Sequence, residues 1–312
     1  MKLRKLVGGV VGAIGAAAAG NAMLAATIDD LEPPLPGIQY TYRWRGMDVA
    51  YTESGDPSAP DVVLLHGISA TSSSNEFAAI FEALAEKYHV IAPDLPGFGC
   101  SDRPALSYTA EHYIDFIADF VADVAEEPIG VTSSLAGAYA GAAQQRTGAF
   151  RKLVMVCPTA TSMPGRRPLV RSVFRLPVVG QTLFNFLVSK PSIRYFNADH
   201  GYADMAAFDA DRLGYQWRTS HQPGARFAPA SFISGYLDPE LNLGETLSDL
   251  DIPVTLVWGR DADITPLSVG EQLAEESDAR LVVFDRSRLL PHDEHPEQFL
   301  DLLDEELPRA EH

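Results

Sequence analysis

The chain predicts an α/β fold: a mostly parallel, twisted sheet flanked by helices, with an inserted helical lid. Two observations carry this expectation. Short apolar runs alternate with stretches of helical periodicity in both halves of the chain, the pattern of a parallel sheet covered on both faces. Almost a hundred residues between two of those runs lack the alternation, too many for a crossover loop, so they form a helical element of their own. At 312 residues the chain suits one large α/β unit with an insertion.

Residues 1–26 stand apart. Lys2, Arg4 and Lys5 precede an apolar stretch from Leu6 to Ala19, followed by Ala22 to Ala26. A basic end, an apolar middle and small residues make a signal or membrane-anchor segment, and this predicts a membrane-associated or extracytoplasmic protein. Residues 6–26 could just span a bilayer, although glycine and alanine make their insertion marginal. The alternative is a Gly/Ala helix packed on the domain or on a partner, and a cytoplasmic location.

A linker over residues 27–38 carries Pro33, Pro34 and Pro36. Alternating Tyr40, Tyr42 and Trp44, then Val49 and Tyr51 beyond Arg45-Gly46, predict a β-hairpin. Strands follow at Val62 to Leu65, Val90 to Ala92, Ile129 to Val131 and Leu153 to Val156, with helical stripes through Phe77 to Leu84 and Tyr113 to Val124. Residues 39–157 thus form the first part of the core and 158–250 the lid. Residues 251–312 complete the core with strands at Val254 to Trp258 and Leu281 to Phe284 and a helix through Phe299, Leu302 and Leu303.

Forty-two acidic against 24 basic residues give a net charge of −18, which repels a phosphate backbone and excludes nucleic acid as a partner. Only five of the basic residues are lysines, and an acidic, lysine-poor surface suits a saline environment, as in halophilic organisms. Cys100 and Cys157 have no ligand-like spacing, which argues against a structural zinc; neither a metal nor a cofactor is expected.

Three motifs fall at strand ends. Leu64-Leu65-His66-Gly67 closes one strand, Asp94 to Asp102 (DLPGFGCSD) follows the next, and Thr132-Ser133-Ser134-Leu135-Ala136 lies at a strand-to-helix turn. In this order they resemble the α/β-hydrolase superfamily, from about residue 40 to 307. The resemblance implies a nucleophile elbow with Ser134 in the serine slot of G-x-S-x-G, Thr132 and Ala136 replacing its glycines. It also implies an oxyanion hole from the backbone amides of Ile68 and Leu135, with His66, Gly67 and Leu289 around the substrate. Gly67 and Gly97 are expected to let the backbone turn sharply at the carboxyl edge of the sheet.

The same resemblance exposes two departures. In Trp258-Gly259-Arg260-Asp261-Ala262-Asp263-Ile264-Thr265-Pro266 the acid slot holds Ala262, with Asp261 and Asp263 on either side. In Arg288-Leu289-Leu290-Pro291-His292-Asp293-Glu294-His295-Pro296 the histidine slot holds Leu289. Serine is a poor nucleophile without an adjacent base. Losing the histidine of such a triad costs on the order of 10⁶ in kcat; against a median near ~10 s⁻¹, that leaves about one turnover a day. The expectation is an atypical or very weak hydrolase that acts on or binds a small lipophilic acyl compound. Two alternatives stay open: a binding-only pseudoenzyme, and a serine ester hydrolase using His292 as replacement base, oriented by Asp261 or Asp263.

Overall fold

The computed structural model describes residues 2–306, without the side chains of residues 2–11. The N-terminal charges Lys2, Arg4 and Lys5 and the end of the second core segment, 307–312, therefore lie outside the described side chains.

Eight strands form one sheet in the order β1-β2-β4-β3-β5-β6-β7-β8. They are β1 (Ile38–Trp44), β2 (Met47–Ser54), β3 (Asp61–Leu65), β4 (His89–Pro93), β5 (Ile129–Ser133), β6 (Lys152–Val156), β7 (Val254–Gly259) and β8 (Arg280–Phe284). β2 pairs antiparallel with both β1 and β4, and every other pairing is parallel. Arg45 and Gly46 turn the expected hairpin with φ of 45° and 85°, a two-residue loop whose positive angles match the twist of its strands. β3, β4 and β5 are buried almost throughout, as strands covered on both faces must be.

The covering helices follow the predicted stripes. α1 (Lys2–Ala25) precedes the sheet; α2 (Ala78–Ala85), α3 (Ala110–Val124) and α4 (Leu135–Thr147) occur within its first half. Between β6 and β7 lie α5 (Pro168–Arg175), α6 (Val179–Leu187), α7 (Lys190–Phe196), α8 (Ala210–Ser220), α9 (Phe227–Phe232) and α10 (Leu243–Ser248), the inserted helical lid. α11 (Leu267–Ser277), α12 (Pro291–Glu294) and α13 (Pro296–Glu306) close the chain. The lid has a small core of its own, in which Phe184, Val188, Ile193, Tyr202, Phe208 and Ala225 bury one another.

Among the described residues, no helix is long and apolar enough to cross a membrane. Residues 6–11 of the expected 6–26 segment lie outside the described side chains. The described part of α1 packs on the lid. Asn21 donates to Val178 O (3.2 Å) and Thr182 Oγ1 (3.0 Å), and accepts from Asn185 Nδ2 (3.0 Å).

Candidate active site

Ser134 stands at the turn from β5 into α4 with φ 54° and ψ −126°, a backbone conformation that costs a non-glycine residue about 1–3 kcal/mol. The surroundings hold it there. Its N–H donates to Val156 O at 2.9 Å, and its carbonyl accepts from Gly137 N–H (3.1 Å) and Thr159 N–H (3.3 Å). The strand-to-helix packing tolerates Thr132 and Ala136 in the glycine slots, both fully buried. The close approach falls at Gly137, where a Cβ would come within 2.9 Å of Pro158 Cβ. Leu135 opens α4, so its amide has no intrahelical acceptor and is free to face a ligand. Ile68, the other oxyanion-hole candidate, is buried beside Gly67.

Gly97 has the expected positive φ, 90°. Gly67 is not among the residues of positive φ. A Cβ there would stand 3.2 Å from Ser133 Oγ, 3.4 Å from Glu76 Oε2 and 3.4 Å from Ser134 Cβ, so space is tight at this position as well. His66 is fully buried and both its ring nitrogens are committed to backbone: Nδ1–H donates to Gly67 O (2.7 Å) and Nε2 accepts from Leu95 N–H (3.0 Å). That fixes its tautomer and leaves neither nitrogen for a substrate.

The two departures are apolar in structure as in sequence. Ala262 is buried in the main core, and Leu289 packs against it while its amide donates to the lid carbonyl of Gly201 at 3.2 Å. Asp261 and Asp263 face solvent; Asp263 Oδ1 lies 3.5 Å from His200 Nδ1. Neither pairs with His292, whose ring is fully buried between Phe77 and Phe299. Neither His292 ring nitrogen has a hydrogen-bond partner. Its nearest charged neighbour is Glu76 Oε1, 3.5 Å from Nε2.

Glu76 is the residue the sequence did not reveal. It sits in the 3₁₀ turn Ser74–Phe77, and its Oε2 accepts Gly67 N–H at 2.9 Å while Oε1 has no hydrogen bond. Burial pushes this carboxyl up, but the facing His292 ring and the Ser133 hydroxyl hold it below its ordinary value. A buried carboxylate and a buried imidazole, each with unused polar atoms, thus lie on the side of the elbow where Gly67 meets Ser133 and Ser134.

The turn after the histidine slot is bound to the lid. Tyr202 OH donates to Asp293 Oδ2 at 2.5 Å, and Arg212 of α8 forms an ion pair with Asp293 Oδ1. Glu294 Oε1 accepts from Ala203 N–H (2.7 Å) and Asp204 N–H (3.2 Å), while Oε2 accepts from Ser287 Oγ and Arg288 N–H. Burial raises the Asp293 carboxyl above its ordinary value, against the pull of Arg212.

Known proteins match this arrangement across most of the chain. A family profile described as "Alpha/beta hydrolase family" covers residues 62–302. The pimeloyl-[acyl-carrier protein] methyl ester esterase of Aeromonas hydrophila is 28% identical over 256 residues, 78% of this chain and 94% of that esterase. Among solved structures, the meta-cleavage product hydrolase of Pseudomonas fluorescens superposes with a TM-score of 0.69 at 22% identity, covering 85% of this chain and 96% of that one. A bacterial membrane phospholipase A superposes at 0.68 with 20% identity, over 97% of this chain and 96% of its own. With its sheet order, serine elbow and matched profile, the chain belongs to the α/β-hydrolase family.

Proposed function

We propose that the chain engages a small lipophilic acyl compound at Ser134 and hydrolyses it slowly or not at all. One feature carries the reading: Leu289, packed on the core and tied through its amide to the lid, stands where the family resemblance in the sequence puts the general base. An aliphatic side chain accepts no proton, and Ala262 leaves the acid slot equally inert. The strained serine and the unengaged Leu135 amide retain the means to hold an acyl carbonyl. The methyl ester acted on by the Aeromonas relative belongs to the same chemical class.

The test is fluorophosphonate labelling together with hydrolysis of short p-nitrophenyl esters. We expect Ser134 to label slowly, labelling to vanish in Ser134→Ala, and Leu289→His with Ala262→Asp to raise turnover by at least ~10²-fold. A wild-type kcat in the usual range of about 1–10³ s⁻¹ would refute the proposal.

The unpartnered nitrogens of His292 beside Glu76 favour a second reading, in which these two residues replace the missing base and acid. Under it, Glu76, not Asp261 or Asp263, orients the imidazole. His292→Phe, which suits a slot between two phenyl rings, would then abolish ester turnover; unchanged turnover removes this reading.

A further inference from the structure

The charge of this protein is segregated along the chain. Residues 1–28 and 128–198 contain no Asp or Glu, yet they hold half of the 24 basic residues; the rest of the chain carries all 42 acidic groups. The fold brings α1 together with residues 168–196 of the second stretch, because α1 packs on α6 and α6 contacts both α5 and α7, while Arg146, Arg151 and Lys152 belong to the core elements α4 and β6 and the turn between them. The same elements expose large apolar side chains. Leu169, Val173, Leu176, Val179, Leu183 and Phe186 all face solvent, as does Met23 on α1. Leu169 and Phe186 are 80% and 73% exposed, values that a side chain packed on its own lid would not keep. Arg167, Lys190 and Arg194 are exposed among them, and none is ion-paired among the described residues; Arg166 is paired with Glu240.

We propose that the α1–α5–α6–α7 side of the lid is a docking face for an anionic lipid surface. The chemistry excludes the competing occupants. A second copy placed by two-fold symmetry would set this basic face against itself. A nucleic acid has no use for the leucine and phenylalanine side chains and would meet the net charge of −18 elsewhere. An anionic bilayer offers headgroups to the arginines and an acyl boundary to the apolar side chains, and it needs no spanning helix. The acidic remainder of the protein is repelled by the same membrane, which orients the chain lid-first. The inference holds whether or not Ser134 turns over.

Flotation of the full chain with phosphatidylcholine vesicles, with and without phosphatidylglycerol, tests it. We expect binding to the mixed vesicles and little to phosphatidylcholine alone. Arg167→Gln with Arg194→Gln should lower the partition on the order of 25-fold at ~0.1 M salt, at about 1 kcal/mol per basic residue near the surface. Leu169→Ser with Phe186→Ser should lower binding at ~1 M salt as well, where charge is screened and apolar contact remains. All four side chains are exposed, so the variants should keep the wild-type thermal midpoint. No flotation by the wild type, equal binding by wild type and variants, or a dimer in sedimentation that the same substitutions dissociate would overturn the proposal.

Discussion

Ser134 holds its strained angles because three backbone hydrogen bonds fix the elbow from both sides. Glycine adopts such angles freely, so Ser134→Gly should stabilise the fold by about 1 kcal/mol, a rise of roughly 2 °C in Tm for a chain of this size. A Tm that falls on this substitution would mean the hydroxyl itself contributes to stability. Glu76 makes a second residue-scale test. Its folded pKa lies below the ordinary 4.5, so its contribution to stability is present above that value and is lost as pH falls through the folded one. Glu76→Gln should therefore flatten the acid limb of a stability-against-pH curve, read by urea unfolding at successive pH values. An unchanged slope would show that Glu76 titrates no differently in the folded and unfolded chain. Of these two residues only Ser134 was legible in sequence. A strand, a tight turn and a small-residue helix leave a local pattern, whereas Glu76 reaches the elbow from 58 positions earlier through a buried contact that no spacing encodes.

At the scale of elements, the strands were readable because β3 to β7 are buried on both faces and must be continuous apolar runs. The lid was readable only as an interruption. Its helices meet in a small core drawn from Phe184 to Ala225, whose spacing follows the packing of short helices and not a single period. The contacts of α12 with the lid were also hidden, since nothing in the spacing of Asp293 and Glu294 points to partners some 90 positions earlier. Asp293 is buried against Tyr202 and Arg212, so Asp293→Asn leaves the guanidinium without its charge partner at a cost of about 3 kcal/mol. Limited proteolysis should then cut within residues 158–250 faster than in the wild type; equal rates would mean the lid is held by its apolar contacts alone.

Over the whole molecule, a net charge of −18 repels itself. Raising salt from ~0.1 to ~1 M shortens the Debye length from about 10 to 3 Å, and Tm should rise with it. A Tm that falls with added salt would assign more weight to the ion pairs than to the self-repulsion. The bonds from Leu289 N–H to Gly201, and from Asp293 and Glu294 to lid donors, have a kinetic implication. A histidine restored at position 289 would stand where the core meets the roof of the site, and its alignment on the serine would loosen whenever the entrance opens and breaks that amide bond. Its turnover would be paced by reclosure and would slow in viscous solvent, as in a machine whose working tool is aligned by its own door.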